Sequence, residues 1–290
     1  MGLYMLLFFA MANYKHPKPI DLWVVVTGVG AVVAYLLSLL VLHFMVKRNE
    51  ISGNNSYVIF SFAVSTAMLP EALVSFEILG ANFFILLAFR RIVSLRSQKE
   101  VQQKIIDASL WITTASLCYF WSILFFGVLF VGIAYYAFQN YRNWLLPFVG
   151  IGAVYILATC ARLLWDDTFF SLAAYADQCS IYFSGYWSFR QWLPFLLIFV
   201  TTPFFLIPYL LKYKGIQSKT KSTVILVIAM LVVAILIIGV VPQKEASVLF
   251  FMTTPWTVMI VSYIESKMKP LWRELLLWLL LILPVILAVF

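Results

Sequence analysis

The sequence predicts an all-α fold, a polytopic transmembrane helical bundle, and three observations carry that prediction. Of the 290 residues, 64% are apolar and only 11% are charged, against about half and about a quarter in soluble domains. The mean hydropathy is +0.98. Apolar runs bounded by Lys, Arg, Asp or Glu recur along the whole chain. So much apolar surface requires lipid as its solvent, and the same composition excludes a disordered chain, a collagen, a coiled coil and a disulfide-rich secreted domain.

Ten runs are predicted to cross, in chain order 20–45, 55–69, 78–89, 107–119, 121–138, 144–164, 191–211, 223–241, 246–264 and 271–290. The first stops at Lys47-Arg48, the second at Pro70, and the third at Arg90-Arg91. The stretch 107–138 is too long for one upright helix and barely enough for two. We read it as two short helices that break at Tyr119-Phe120-Trp121, whose rings suit a membrane interface. One strongly tilted helix is the alternative. The sixth run ends before Asp166-Asp167, the seventh follows Arg190, and the last three lie between Lys-bearing loops. Several runs fall short of the ~20 residues that a ~30 Å hydrocarbon core requires.

Charge asymmetry favours the two-helix alternative. It leaves Lys15, Lys18, Arg162, Arg190 and Lys244 on one side and the other fifteen of the 20 bases opposite, among them Lys47, Arg48, Arg90, Arg91, Arg96, Lys99, Lys104 and Arg142. Short loops obey the positive-inside rule, so the basic side is cytoplasmic, Phe290 falls on the outer side, and the location implied is a bacterial inner membrane. The net charge of +8 is thus spread along one membrane face, which argues against nucleic acid as a partner. The chain reads as one transmembrane domain over 1–290, with no linker or low-complexity tract.

Residues 1–13 are apolar but about half a crossing in length. They read as the outer end of a partial first helix. A signal peptide is the alternative, since Ala10-Met11-Ala12 resembles a cleavage site, although no base precedes the apolar run. The three cysteines, Cys118, Cys160 and Cys179, lack metal-ligand spacing and read as free structural thiols. His43, near the inner end of its helix, reads as snorkelling, so no metal or other cofactor is expected.

Two segments are candidates for function. The inner segment 90–107 alternates bases with Ile92, Leu95, Val101, Ile105 and Ile106. As an interfacial amphipathic helix it would present Arg90, Arg91, Arg96, Lys99 and Lys104 to anionic lipid or to a membrane-protein partner. On the outer side, Glu71, Asp166 and Asp167 are the candidate catalytic carboxylates, and Arg162 and Arg190 are candidate phosphate contacts flanking the loop 165–190. Helix capping and loop solvation account for the same five residues.

No charge falls at the middle of a predicted span, which lowers the prospect of an ion-coupled carrier. Asn82, Thr113, Thr114 and Thr159 are the mid-span polar groups, expected to hydrogen-bond between helices. One internal echo pairs Phe199-Val200-Thr201-Thr202-Pro203 with Phe251-Met252-Thr253-Thr254-Pro255. The prolines free carbonyls that the threonines are placed to satisfy.

The run 82–97, centred on Phe89-Arg90-Arg91-Ile92-Val93-Ser94-Leu95-Arg96, together with Ile106-Asp107-Ala108-Ser109-Leu110-Trp111 and Tyr141-Arg142-Asn143-Trp144-Leu145-Leu146-Pro147, resembles a family of Bacteroidota inner-membrane proteins of unassigned function. The likeness extends through Val46-Lys47-Arg48-Asn49 and Leu69-Pro70-Glu71 and covers mainly the first half of the chain. It implies a membrane compartment and a full helix ahead of residue 1. A more distant similarity is to the membrane core of polyprenyl-phosphate-sugar-dependent glycosyltransferases, which also pair short helices with a tight outer break and an Arg-rich inner turn. Those enzymes carry an acid in a long first outer loop. Here that loop, 14–21, holds only Asp21. The expected function is therefore a non-catalytic subunit or assembly factor of a cell-envelope complex, with a glycosyltransferase-like enzyme as the alternative.

Overall fold

In the computed structural model the described residues are 22–49, 53, 56–171, 189–213, 218–242, 245–265 and 270–289, with Tyr4 and residues 8–10. Expectations for the rest of 1–13, for the loop 14–21, for Cys179 and most of the loop 165–190, and for the side chain of Arg190 fall outside the described residues. All regular structure among them is helical. The helices are α1 (Leu22–Arg48), α2 (Tyr57–Ala67), α3 (Pro70–Val74), α4 (Phe76–Ser94), α5 (Val101–Cys118), α6 (Phe126–Tyr136), α7 (Arg142–Asp166), α8 (Phe189–Tyr213), α9 (Ser218–Val240), α10 (Phe250–Ile264) and α11 (Pro270–Val289). Short 3₁₀ turns occupy Leu95–Ser97, Phe120–Phe125 and Ala246–Leu249.

Among the described residues, six helical stretches are long and apolar enough to cross a bilayer: Val25–Arg48, Phe76–Ser97, Arg142–Asp166, Leu193–Leu211, Lys221–Val240 and Ala246–Ile264. That is fewer than the ten runs the sequence suggests, and for three of the other four the reason is physical. Helix α2 has 11 residues and rises only about 16 Å. The run after Tyr119 spends Phe120–Phe125 in a 3₁₀ turn before α6 begins. The first turns of α5 carry Gln102, Gln103, Lys104 and Asp107.

Helix α10 is the axis of the bundle. Every residue from Phe250 to Ser262 is buried, and α2, α4, α8 and α9 pack around it. Apart from Val154 and Phe170, the buried apolar side chains of the described residues form one cluster reaching from Phe8 to Leu280, and the Tyr4 hydroxyl donates to the Leu281 carbonyl at 3.2 Å. Helices α1, α7 and α8 are peripheral. On α1, Ala31, Ala34, Tyr35, Ser38, Leu42, Met45 and Val46 turn inward, while Val29, Val33, Leu36, Leu40 and Phe44 face out. An apolar face on both sides of a helix is what lipid, not water, permits.

The stretch 107–138 folds as two helices. Helix α5 ends at Cys118, Tyr119 is extended at φ −144° and ψ 110°, and the chain doubles back through Phe120–Phe125 into α6. The return is complete: Gln98 Nε2, just before α5, donates to the Tyr136 carbonyl at the end of α6 at 2.8 Å.

The inner segment differs from its expected form. Residues 90–107 do not lie as one interfacial helix, because Gln98 and Glu100 adopt φ of 54° and 50° and turn the chain between α4 and α5. Ile92, Leu95 and Ile105 point into the core. The mid-span threonines also depart from expectation: Thr113, Thr114 and Thr159 donate to Ser109, Leu110 and Tyr155 carbonyls of their own helix, four residues back. In the paired Thr-Thr-Pro segments, Thr201 and Thr202 bond to Leu197 and Ile198, and Thr253 to Phe250. The carbonyls four residues before Pro203 and Pro255, those of Phe199 and Phe251, are not among these acceptors, so the threonines do not repair the proline gaps.

Helix α7 meets α5 where Gly150 lies against Ser109. A Cβ at Gly150 would overlap Ser109 Oγ and stand 2.8 Å from Ser109 Cβ and 3.2 Å from the Leu110 nitrogen. Gly150→Ala is therefore expected to lower stability by about 1–3 kcal/mol, and adding Ser109→Gly should recover most of the loss. Thermal unfolding in detergent measures both; losses that simply add would show that this contact does not set the α5–α7 approach.

Candidate functional site, a basic pocket at one end of the bundle

Helices α1 and α4 pack side by side, and their last turns carry Lys47 and Arg48, and Arg91, respectively. Cations there are favoured by the partial negative charge of unpaired helix carbonyls. The 3₁₀ turn adds Arg96, and the start of α5 adds Lys104. Arg48, Arg90, Arg91, Arg96 and Lys104 line a single pocket of about 750 Å³, together with Asn49, Ser94, Ser97, Tyr135, Tyr136 and Ser222.

Each base is held differently. The guanidinium of Arg90 lies 4.8 Å from the centre of the Phe44 ring and that of Arg48 lies 5.6 Å from it, so one aromatic ring supports two cations. Arg91 reaches Asp107 at 3.1 Å, a pair exposed enough to add little stability. Lys104 Nζ donates to the Ser94 carbonyl at 3.0 Å and to Ser97 Oγ at 2.6 Å, tying α5 to the turn before it. Partial burial holds the Lys104 ammonium below the ordinary lysine value, and the nearby charges of Arg91, Arg48 and Lys99 push the same way while Glu100 opposes them. Lys99 is exposed beside the pocket and does not line it. Among the expected surface bases, then, four share one site. Arg48 was legible only as the end of α1; its place beside Arg90 depends on the packing of α1 on α4. Tyr135, Tyr136 and Ser222 carry no sequence signal for the site.

An amide-rich groove adjoins this pocket through Tyr135 and Tyr136. Gln98, Gln102, Gln103, Gln139, Asn140 and Asn143 line it, and its volume is about 900 Å³. Asn143 Nδ2 donates to the Ala137 carbonyl at 3.0 Å, closing the turn between α6 and α7.

The opposite end is acidic. A pocket of about 640 Å³ there is lined by Glu77, Cys118, Tyr119, Phe120, Pro242, Glu245 and Ser247, among others. Ser247 Oγ donates to Glu245 Oε2 at 3.0 Å. Glu71, Asp166, Asp167 and Arg162 do not line it. Glu71 sits half-buried in α3, which packs on the turn Ala246–Leu249. Asp166 and Asp167 are exposed at the end of α7, where Asp167 ends the helix in the left-handed region at φ 51°. Arg162 is exposed and stands 5.9 Å from the Phe170 ring centre. Arg190 belongs to the first turn of α8, its side chain outside the described residues. Cys118 and Cys160 are free thiols. Among the described residues no three His, Cys, Asp or Glu side chains gather as a metal site.

Compared with family models, curated proteins and solved structures, the chain matches none. What the fold itself defines is a multi-pass helical membrane protein with a basic pocket at one end.

Lys104→Met removes both hydrogen bonds that tie the turn to α5. We expect a loss of about 1–2 kcal/mol, with Lys104→Arg retaining part of it, measured by thermal unfolding in detergent. Equal stability of Lys104→Met and the parent chain would show that the tether does not hold the turn.

Proposed function

We propose that this chain is a multi-pass protein of a bacterial inner membrane and a non-catalytic subunit or assembly factor of a cell-envelope complex. The observation that supports it is the segregation of charge along the bundle. Arg48, Arg90, Arg91, Arg96 and Lys104 converge at one end, while Glu77 and Glu245 line the pocket at the other. With the basic end cytoplasmic, as the positive-inside rule requires, the six long spans are joined by four further crossings. These are α2, α5, the run Phe120–Tyr136 and α11, and they place the end of α11 on the outer side.

The glycosyltransferase-like alternative is less well supported. It needs cations beside a carboxylate base at the outer end, to hold a lipid phosphate while the acceptor is activated. Among the described residues the lining of the pocket at that end carries two carboxylates and no cation, which disfavours a phosphate there. The interior also favours a scaffold: α10 is enclosed by its neighbours, and Ser65, Thr66, Thr253 and Thr257 direct their hydroxyls to carbonyls of their own helices.

Purification in mild detergent followed by intact-mass measurement tests the proposal. A stable assembly heavier than the 33.2 kDa chain, containing another membrane protein in fixed ratio, is the expected result. A monodisperse single chain with no such partner would contradict it.

A further inference from the structure

We propose that the basic pocket is a defined binding site for a lipid whose headgroup carries two phosphates. The inference rests on the inner-face orientation proposed above and deepens it from a diffuse charged surface to one site. Charge is the first argument. Five cations line the pocket, and Asp107 is paired with one of them, Arg91. Arg48, Arg90 and Arg96 meet no carboxylate among the described residues, although like charges this close repel unless an anion joins them. A single phosphodiester carries one negative charge and leaves most of the set uncompensated. Two phosphates held by several guanidinium forks match it better, in charge and in hydrogen-bonding geometry.

The second argument is the pocket's apolar margin. Phe44 supports both Arg48 and Arg90 and is itself 43% exposed. From it, the outward face of α1 continues as Leu40, Leu37, Leu36 and Val33, all exposed. A ligand with phosphates in the pocket would lay its acyl chains along that face, as an amphiphile does and a free anion does not. Basic pockets between transmembrane helices on the cytoplasmic side are suited to this headgroup chemistry.

The test uses the full chain in nanodiscs of phosphatidylcholine doped with cardiolipin, or with phosphatidylglycerol at equal total phosphate charge, with bound lipid counted by native mass spectrometry. Both faces of a nanodisc are open, so the result does not depend on orientation, and it leaves the partner measurement untouched. Cardiolipin should be retained in preference to phosphatidylglycerol. The double variant Arg48→Gln/Arg90→Gln should bind it about tenfold more weakly, while Arg142→Gln, an exposed base of the same end outside the pocket, should bind it unchanged. Equal retention by the double variant, or equal loss in Arg142→Gln, would overturn the site. Should the double variant misfold, Arg96→Gln, at a half-buried position of the turn between α4 and α5, and competition on the parent chain decide. Displacement of cardiolipin by inorganic pyrophosphate at matched concentration would overturn the lipid assignment, and resistance to it would support it. Undiminished cardiolipin retention by Arg96→Gln would count against the site, and weaker retention for it.

Discussion

The backbone break at Tyr119 is the constraint on which the rest of the bundle depends. In hydrocarbon every peptide group must find a partner, so an interruption survives only where hydrogen bonds close around it and protein covers it. Both conditions hold. The Tyr119 amide donates to the Ala115 carbonyl at 2.9 Å, and the Tyr119 carbonyl accepts from Ser122 at 3.0 Å. The rings of Tyr119 and Phe125 each lie 5.7 Å from that of Phe251 on α10, and Trp121, Ser122 and Phe126 are buried. The central helix therefore shields the turn at which α5 and the short α6 meet. Without that turn, α6 could not return to Gln98, and Arg142 would start α7 at the opposite end from Arg90, Arg91 and Arg96.

Close packing then fixes how the returning helices sit. Gly132 on α6 faces Ile92 and Leu95 of the α4 region and Leu226 on α9, with Ile92 Cγ2 only 2.7 Å from where a Cβ would stand. Gly150 does the same for α7 against α5. Small residues let helix backbones approach where lipid supplies no hydrophobic force to press them together. The basic pocket is a consequence of this packing: α1 and α4 run alongside, the left-handed residues Gln98 and Glu100 reverse the chain, and five cations from separated stretches of sequence share one concavity.

Much of this was legible in the residues. Composition and apolar periodicity predict the helical membrane class, and Tyr119-Phe120-Trp121 marks the break within two residues of where α5 ends. Four bases of the run from Arg90 to Lys104 come to line one pocket. Its form was not legible, because an amphipathic stripe over 90–107 fits an interfacial helix as well as a helix–turn–helix; only the positive φ at Gln98 and Glu100 distinguishes them, and neither residue type demands it. Ten apolar runs yield only six long spans among the described residues, because apolar length in a sequence does not tell a full-length span from a short helix like α2, buried from Ser61 to Ala67 among longer neighbours. The outer carboxylates Glu71, Asp166 and Asp167 lie in segments that are neighbours only if α3 and α7 meet, a matter of packing that no motif encodes.

The central claim is that the turn at Tyr119 brings the chain back to the basic end of the bundle, which we propose is cytoplasmic. Single cysteines at Gln98 and at Asn140, in a chain with Cys118, Cys160 and Cys179 replaced by Ser, test it most directly when challenged with a membrane-impermeant thiol reagent. In intact cells both positions should be protected, and in inverted vesicles both should react. Opposite labelling of the two, or reaction of both from outside intact cells, would contradict the topology and the placement of the basic pocket with it.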